Sequence, residues 1–421
     1  MTQHVNHRAS DKIRELEEEV KSMIAEIKEL KEELKDCWKI DRPGMFSTLL
    51  PTLQVVWDAT SFKALMTCAR YYQYTILEGW RFAGFAVDLE FGSYFASAIE
   101  MFKKARIAGN SKEEATIEAL EYVIKATWVK SSRDIDASQS SMEGSSETGK
   151  PWGGYYEEQW RCTGDKPYRN PAGNRAKCPW SHKGLWHPSP APNVCGNCTS
   201  NIEAQRRWVP GDKVKDRYSL VRLVAGYCDE QPEVLSDGIA PYQFSDGTPA
   251  IELSFKLPLG LKSPTDEPYT LSGHFDSIDR LGEEFFISDN KTTKKALNKQ
   301  YWGQFSPNVQ VDIYDFAGSI LYPGLGIRGV RIDGAQTMLG GVRFGSQIFY
   351  RNEALREELF SELEWWLHQA ERYATDNYWP MNRASCTMCP FKIICNKEPA
   401  SRQGWLEADF KREPWDTTKE R

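Results

Sequence analysis

Two short apolar runs in the second half of the chain, each carrying an acidic residue, constrain the fold more than any other feature. The first, LSGHFDSID, contains Asp276, and the second, EEFFISDNKTT, contains Asp289. Runs of this kind predict β-strands, on which side chains two residues apart point to the same face. We therefore expect Asp289 and Lys291 on one face and Asn290 on the other.

A carboxylate and an amine on one face, with a second carboxylate on a neighbouring strand, are typical of divalent-metal hydrolysis of phosphate esters. Carboxylate oxygens hold Mg²⁺ or Mn²⁺, and a lysine can position the attacking water or stabilise the developing charge. The alternative is an ion-paired strand edge at the surface. Three residues favour the site: Glu252 lies in another strand-like run, and Gln310 and Tyr314 share a helical face.

The order of these pieces resembles the PD-(D/E)xK nuclease superfamily, specifically its RecB-like branch. The matching pieces are Glu252, residues 273–276, residues 289–292, and Gln310 with Tyr314. The resemblance implies an α/β fold with a restriction-endonuclease-like core, a mixed sheet flanked by helices. It also implies a metal-dependent DNA nuclease, often exonucleolytic on DNA with a free or single-stranded end.

The resemblance assigns a role to each residue. Asp276 and Asp289 would ligate Mg²⁺ or Mn²⁺, with the Asn290 carbonyl as a further ligand. Glu252 would support the site or bind the metal through water, and Lys291 would assist the water nucleophile. The remaining two, which would contact substrate or orient the site, are Gln310 and Tyr314.

One position departs from the family pattern. RecB-like nucleases often carry G-x-x-x-H on the first core helix, and the histidine is a metal ligand. Here Gly92 is followed four residues later by Ala96. His274, on the strand of Asp276, and Glu100, one turn after Ala96, are the candidate substitutes.

Three cysteines near the C-terminal end, Cys386, Cys389 and Cys395, follow the pattern C-x-x-C-x5-C. Three thiols at this spacing need a fourth ligand, and the nearby sequence offers none. In the iron–sulfur members of the RecB-like family, which include CRISPR-associated adaptation nucleases and AddB-type nuclease domains, the first ligand precedes the nuclease core. Cys68 matches it, so the resemblance implies a [4Fe–4S] cluster. Zinc in the same four cysteines is the alternative.

A second cysteine set lies in an insertion over residues 131–212, which begins with a serine-rich loop to about residue 150. Cys162, Cys178, Cys195 and Cys198 fit a tetrahedral structural zinc site, the last two as a C-x-x-C knuckle. Either of two nearby histidines, His182 and His187, can replace one cysteine. The alternative is four unrelated thiols in a loop.

Residues 11–38 repeat apolar residues at alternating spacings of three and four, which predicts a coiled coil. We expect an appendage over 1–40 that forms a homodimer or docks a helicase or recombination partner. A single amphipathic helix packed on its own domain is the alternative. The nuclease domain is expected over 41–421.

Composition narrows the function further. The formal net charge of −6 means that DNA contacts must come from local Lys and Arg patches. The first forty residues lack the apolar core of a signal peptide, and no run is long enough to span a membrane. We expect a cytoplasmic protein with no membrane contact, in which ten cysteines serve metals rather than disulfides.

The remaining pattern predicts further elements. Helices are expected over 85–107, 111–130, 216–228 and 353–374, with a capping box of Ser111 and Glu114. Strands are expected around 240–257 and within 324–350. A linker to about residue 58 and a polar tail over 399–421 complete the prediction.

The function that follows is a metal-dependent deoxyribonuclease, an exonuclease in DNA recombination, repair or end processing. Tyr301 and Trp302 can stack unpaired bases or belong to the core. Two other classes stay open. One is a catalytically weakened DNA-binding scaffold, and the other is a subunit recruited through its coiled coil.

Overall fold

The structure is a computed structural model that describes residues 42–82, 87–129, 150–151, 154–178, 194–210, 212, 214–230 and 239–419. The predicted coiled coil over 11–38 lies outside these residues, as do His182, His187 and almost all of the serine-rich loop. None of the helices described is both long and apolar enough to cross a membrane.

Ten α-helices lie in the described residues, with a π-helical turn at Gln73–Leu77 after the second. In chain order they are α1 Ala59–Thr67, α2 Ala69–Tyr72, α3 Val87–Ile107, α4 Lys112–Ala126, α5 Arg217–Glu230, α6 Lys299–Gly303, α7 Val309–Leu321, α8 Glu353–Thr375, α9 Lys392–Cys395 and α10 Arg402–Asp409. The four long predicted helices are confirmed, as α3, α4, α5 and α8. Ser111 and Glu114 form the predicted capping box at the start of α4.

Fifteen strands are described. The short or peripheral ones are β1 Val56–Trp57, β2 Trp80–Phe82, β3 Trp128–Val129, β4 Lys150–Pro151, β5 Gly154–Cys162, β6 Tyr168–Arg169, β7 Arg175–Ala176, β8 Ile202–Pro210, β9 Ile239–Pro241 and β15 Phe410–Arg412. The long ones are β10 Ile251–Lys262, β11 Pro268–Leu281, β12 Glu284–Thr293, β13 Gly329–Met338 and β14 Gly341–Tyr350. The predicted strands around Asp276 and Asp289 are β11 and β12.

The central sheet has seven strands and is mixed. Its order is β1-β11-β12-β13-β14, and β10 and β9 pair with the other edge of β11. The pairs β1–β11 and β12–β13 are parallel, whereas β10–β11, β11–β12 and β13–β14 are antiparallel. This mixed sheet flanked by helices confirms the predicted restriction-endonuclease-like α/β fold.

Each face of the sheet is covered by its own hydrophobic cluster. Helices α1, α7 and α8 pack on one face, where Phe62, Ile313 and Leu363 are fully buried. Helices α3, α4 and α5 cover the other face, where Phe95 and Leu223 are among the buried side chains. Burial on both faces explains why β13 is buried along nearly its whole length.

The sheet splits in the middle of β11. On one edge, β1 pairs only with Thr270 and Leu271, and β12 pairs with β11 only from Ser277 onward. Strict alternation of side chains also breaks here, because Phe275 and Ile278 both pack into the α1/α7/α8 core. Asp276 therefore lies where β12 separates from β11, at a gap in the sheet.

Two predictions about the ends of the domain are wrong. Residues 42–58 are not a linker, since Met45, Leu53 and Trp57 are fully buried in the hydrophobic cluster beneath α1, α7 and α8, which we call the main core. Residues 399–421 are not a polar tail, because α10 packs on the domain and β15 pairs with β2. Phe410, one of the few apolar residues of that segment, is buried, and its ring centroid lies 4.7 Å from that of Phe391.

Candidate active site

A cleft of about 560 Å³ opens at the split in the sheet. It brings together all of the residues predicted to catalyse the reaction or hold its metal. Its lining includes Glu252, Asp276, Asp289, Asn290, Lys291, Gln310 and Tyr314, with Asp88, Gly92, Ala96 and Glu100 from α3. Strands β10, β11 and β12 supply the floor, α3 supplies one wall, and α7 supplies the other.

Asp276 and Asn290 bridge the gap between the separating strands. One carboxylate oxygen, Asp276 Oδ2, accepts a hydrogen bond from the Asn290 backbone N–H at 2.7 Å and from Asn290 Nδ2 at 3.1 Å. We expected Asn290 to point away from the site. It reaches the cleft because the β11–β12 ladder ends at Ser277 and Ser288, so the amide spans the gap.

Asp289 and Lys291 share one face of β12, which confirms the prediction from alternation. Lys291 Nζ lies 2.7 Å from Asp289 Oδ2, and the two side chains are 31% and 5% exposed. Burial raises the pKa of Asp289 to about 6; Lys291 opposes this shift and the charge of Asp276 adds to it. A second cation in the cleft would relieve the repulsion between these two carboxylates.

The donor set fits a hard divalent cation. Mg²⁺ and Mn²⁺ prefer oxygen ligands, and the cleft offers the carboxylates of Asp276, Asp289 and Glu252. In addition, Asn290 Oδ1 is buried with no hydrogen-bond partner among the described residues. Buried polar atoms are normally satisfied, so this oxygen is available to a ligand or to water.

Glu252 has an unusual backbone conformation. Its φ is +53°, in the left-handed region that residues other than glycine and asparagine rarely adopt. Such a conformation costs about 1–2 kcal/mol. It occurs at the cleft, opposite Asp276, where β10 approaches the split in the sheet.

Gln310 and Tyr314 lie in the first turns of α7, on the face that the i, i+4 spacing predicted. Gln310 Nε2 donates a hydrogen bond to Tyr314 Oη at 3.0 Å. Asn308 caps the helix by accepting hydrogen bonds from the backbone N–H groups of Gln310 and Val311. The cap fixes where α7 begins and so orients both side chains toward the cleft.

The wall from α3 shows which of the candidate substitutes for the missing histidine is near the site. Ala96 and Glu100 both line the cleft, and Glu100 pairs with Lys104 at 2.6 Å. The structure does not bring His274 there, because its Nδ1 is 2.8 Å from Ser254 Oγ and it lines a separate small pocket. The break in alternation at Asp276 explains why two residues on one strand diverge.

The sequence did not predict the group of charged and polar residues beside α3, which we call the rim. Buried Lys215 pairs with Asp88 at 2.9 Å and donates to Thr292 Oγ1 at 3.4 Å. Lys294 pairs with Asp212 at 2.8 Å. These contacts join segments that are distant in sequence, so no local pattern could have identified them.

A second groove, of about 520 Å³, shares Gln310 with the cleft. Its lining includes the cations Lys63 and Arg81, the ring of Tyr71 and the exposed Met388. Tyr301 and Trp302 do not contribute to it. Tyr301 is 5% exposed and, with Trp302, packs on the main core, so the core alternative is correct for this pair.

One of the four cysteines predicted to hold an iron–sulfur cluster, Cys389, lines the second groove. Cys68 lies in extended conformation at the break between α1 and α2, and its Sγ accepts the Asn382 N–H at 3.2 Å. Burial raises the pKa of the Cys389 thiol, and the neighbouring thiols Cys386 and Cys68 add to the shift. Cys395, at the end of α9, also has a raised pKa from burial, with Cys389 and Cys68 contributing.

The cysteines of the insertion form a tighter group. The thiols of Cys162, Cys178, Cys195 and Cys198 are all buried and lie within 4.8 Å of one another. The sulfur atoms are separated by 3.3 Å for Cys162–Cys198 and by 3.7 Å for Cys178–Cys195. A tetrahedral zinc ion with Zn–S bonds of about 2.3 Å needs sulfur separations of about 3.8 Å. These four thiols can therefore hold a metal ion.

Comparison with known proteins gives one family. Residues 214–396 match the family model described as the PD-(D/E)XK nuclease superfamily. The match contains every predicted catalytic residue, and it implies a nuclease that uses divalent metal ions. It covers neither α3 nor the insertion. No curated protein matches the chain.

Proposed function

We propose that the protein is a metal-dependent deoxyribonuclease that acts as an exonuclease on DNA with single-stranded or free ends. We expect it to act in the cytoplasm, in DNA recombination, repair or end processing. The observation that supports this proposal most directly is the cleft at the split in the sheet. Its lining includes three predicted carboxylates, Glu252, Asp276 and Asp289, together with Lys291, which is the combination that phosphodiester hydrolysis requires.

In this proposal Asp276 and Asp289 hold Mg²⁺ or Mn²⁺, with the Asn290 carbonyl as a further ligand and Glu252 as a direct or water-mediated support. A divalent ion held there supplies Lewis-acid activation of water and neutralises phosphate charge. Asn290 keeps Asp276 oriented through its two hydrogen bonds. The ion pair with Lys291 holds the buried carboxylate of Asp289 in place.

Lys291 has a second role. Its ammonium group is partly exposed to the cleft, so it can donate a hydrogen bond to the attacking water or to a phosphate oxygen. Gln310 and Tyr314, joined by their own hydrogen bond, present polar groups on the opposite wall. We assign them to substrate contact and orientation.

The second groove supports a substrate with an unpaired strand. It continues from the cleft at Gln310, and it offers two cations for phosphates and an exposed methionine and a tyrosine for bases. Single-stranded nucleic acid is commonly bound by this combination of charge and apolar or aromatic surface. An exonuclease acting from a free end would use such a path.

We further propose a structural [4Fe–4S] cluster on Cys68, Cys386, Cys389 and Cys395. The thiols of Cys386 and Cys68 are near enough to Cys389 to raise its pKa further, which supports one shared site for these cysteines. The tight set in the insertion, Cys162, Cys178, Cys195 and Cys198, supports a structural zinc ion instead.

The test is cleavage of end-labelled single-stranded and double-stranded DNA by anaerobically purified protein. Mg²⁺, Mn²⁺ and EDTA are compared, beside Lys291→Ala and, as a matched control, Lys295→Ala, which changes an exposed lysine outside the cleft. We expect metal-dependent cutting that Lys291→Ala lowers by about 10²–10³-fold and the control leaves unchanged. A ladder that shortens from one labelled end identifies an exonuclease and its polarity.

One observation favours a second candidate, a DNA-binding scaffold that has lost catalysis. Ala96 lines the cleft at the position where related nucleases carry a ligand histidine. A scaffold would bind DNA without cutting it in any metal. In that case the coiled coil over 11–38 would recruit the active partner, a helicase or recombination protein, or would form a homodimer.

A further inference from the structure

The insertion forms a two-stranded arm that is attached at the rim of the catalytic cleft. Strands β5 and β8 pair continuously, from Gly154 opposite Pro210 to Cys162 opposite Ile202. Eight residue steps at about 3.4 Å give the arm a length of roughly 27 Å. We call this ribbon the arm, and we call residues 162–178, with Cys195 and Cys198, the tip.

The base of the arm is held by the rim contacts. Just beyond Pro210, Asp212 pairs with Lys294, and Lys215 contacts Asp88 and Thr292. Asp88 and Thr292 themselves line the cleft. A strand of DNA entering the cleft therefore passes the base of the arm.

The tip carries an exposed cluster of positive charge in a chain whose net charge is −6. Residues 163–177 contain four bases and one acid, Asp165, a local net charge of +3. The bases, all exposed, are Lys166, Arg169, Arg175 and Lys177. No ion pair between them and another described residue is present.

Two of these bases are directly opposite each other. In the β6–β7 hairpin, Arg169 pairs with Arg175 across the strands. Like charges at directly opposed positions destabilise a hairpin by up to about 1 kcal/mol. Arg169 Nη1 donates to the Gly173 carbonyl, which orients one guanidinium but adds no negative charge. An anion between the two guanidinium groups would remove the repulsion, and phosphate matches their hydrogen-bonding geometry.

A metal ion held by the four cysteines would give the tip the rigidity that such a surface needs. Cys162 and Cys178 flank the hairpin on both sides, and the thiol of Cys162 accepts the Gly164 N–H at 3.3 Å. The ring of Tyr168 packs on the four cysteines. Lys166, Arg175 and Lys177 line one concave surface beside the metal site.

We propose that the tip is a second DNA-binding site, which holds the phosphate backbone of the substrate outside the cleft. This inference rests on the proposed function of the cleft. The length of the arm corresponds to about eight nucleotides at 3.4 Å per step. The tip would then add affinity for long substrates and none for substrates of a few nucleotides.

The test measures binding of a 30-nucleotide single strand by the full-length, zinc-loaded protein in EDTA-free buffer with Ca²⁺, over a series of NaCl concentrations. The tip variant changes Lys166, Arg169, Arg175 and Lys177 to glutamine. The matched control makes the same change at four exposed surface bases in local ion pairs, Lys125, Lys262, Arg280 and Arg372. Both variants lose the same total charge.

We expect the slope of log K against log[NaCl] to become shallower by about 3 in the tip variant, because four phosphate contacts to a single strand each contribute about 0.7. The control should retain most of the wild-type slope. Equal slopes in the tip variant and the control would overturn the proposal.

A second variant guards against misfolding. Arg175→Glu places opposite charges across the β6–β7 hairpin and so favours its folding, yet it should weaken binding of the long strand at least tenfold. Unchanged binding by Arg175→Glu would contradict the proposal.

Cleavage of a tetranucleotide in Mg²⁺ separates this inference from the proposed function. If the wild type cuts the tetranucleotide, the nuclease stands, whatever the tip variants do. If the wild type cuts neither the tetranucleotide nor end-labelled DNA in Mg²⁺ or Mn²⁺, the nuclease fails while the slopes still test the tip.

Discussion

Asn290 donates two hydrogen bonds to a single oxygen of Asp276, one from its backbone and one from its side chain. The contact spans the gap where β12 leaves β11, so a ladder hydrogen bond is replaced by one to a carboxylate. Asp276 is thereby fixed on the side where β12 has separated from β11, and it lines the cleft there. The separation of the strands is what creates the site.

Replacing Asn290 by alanine tests this relationship. The backbone hydrogen bond remains and the side-chain one is lost, so the orientation of Asp276 becomes looser. Removing a group that orients a metal ligand costs about 10–100-fold in affinity or activity. We expect a loss of that size in Mn²⁺ affinity, measured by calorimetry, with little change in unfolding temperature. Unchanged Mn²⁺ affinity would show that the side-chain contact does not position the carboxylate.

Replacing Asp289 by asparagine should stabilise the metal-free protein. The folded pKa of Asp289, about 6, lies above the ordinary value of 3.8, so the ionised carboxylate is unfavourable in the fold. This difference in pKa corresponds to about 3 kcal/mol. The stability gained by Asp289→Asn is absent below about pH 4, grows as pH rises toward 6, and is constant above that.

Urea unfolding in EDTA at pH 4, 6 and 8 measures this effect. The same variant should bind no Mn²⁺ at the cleft, so its advantage reverses when metal is added to the wild type. An Asp289→Asn protein that is less stable than the wild type at pH 8 in EDTA would contradict the assignment.

A buried charge network beneath the site should dominate stability. Lys103 and Arg331 lie 4.0 and 3.4 Å from Asp279, and Arg331 also pairs with Asp333 at 2.8 Å. Lys103→Met leaves a buried carboxylate without one of its cations, which costs about 3–5 kcal/mol. Lys104→Met, next to it but exposed, should cost less than about 1 kcal/mol. Chemical denaturation compares the two, and equal losses would contradict the burial of Lys103.

If zinc binds in the tip, its loss should unfold the arm locally rather than the whole domain. We expect one zinc per chain by elemental analysis, lost in Cys195→Ser. Proteolysis should then cut the arm while the rest of the domain stays folded, since the described apolar residues that pack on the four cysteines, Tyr168 and Ile202, both belong to the insertion. A protein with all four cysteines and no zinc after expression in zinc-supplemented medium would refute the site.

The iron–sulfur proposal predicts the opposite, a global effect. Cys68 is over three hundred residues from Cys386, and a cluster would join the two ends of the domain. Cys389→Ala should abolish iron binding and the visible absorbance of the cluster. It should also lower the unfolding temperature by several degrees. Zinc in place of iron in anaerobic wild-type protein would favour the alternative ligand.

The sequence predicted those parts of the site that depend on short-range periodicity. The shared face of Asp289 and Lys291 follows from strand alternation, and that of Gln310 and Tyr314 follows from the helical repeat. Alternation failed at Asp276, where the strand changes partners, and for this reason His274 and Asn290 are not where their spacing placed them. Pairing partners are set by long-range contacts, which a single sequence does not encode locally.

The same limit explains the errors at the ends of the domain. The segment after residue 399 is mostly charged or polar, yet β15 pairs with β2, more than three hundred residues earlier. Its few buried residues are too widely spaced to predict an element. The contact of Lys215 with Asp88, which joins the base of the arm to the cleft, is of the same long-range kind.

The measurement that tests the central claim most directly combines Mn²⁺ binding and DNA cleavage on the same preparations. Wild-type protein, Asp276→Asn and Asp289→Asn are compared with Asp246→Asn, which changes an exposed acid in a turn away from the cleft. We predict that the wild type and the control bind Mn²⁺ and cut DNA, and that the two cleft variants lose both, with cleavage falling by at least about 10³-fold. Cleavage that persists in Asp289→Asn would place the catalytic metal elsewhere and contradict the account.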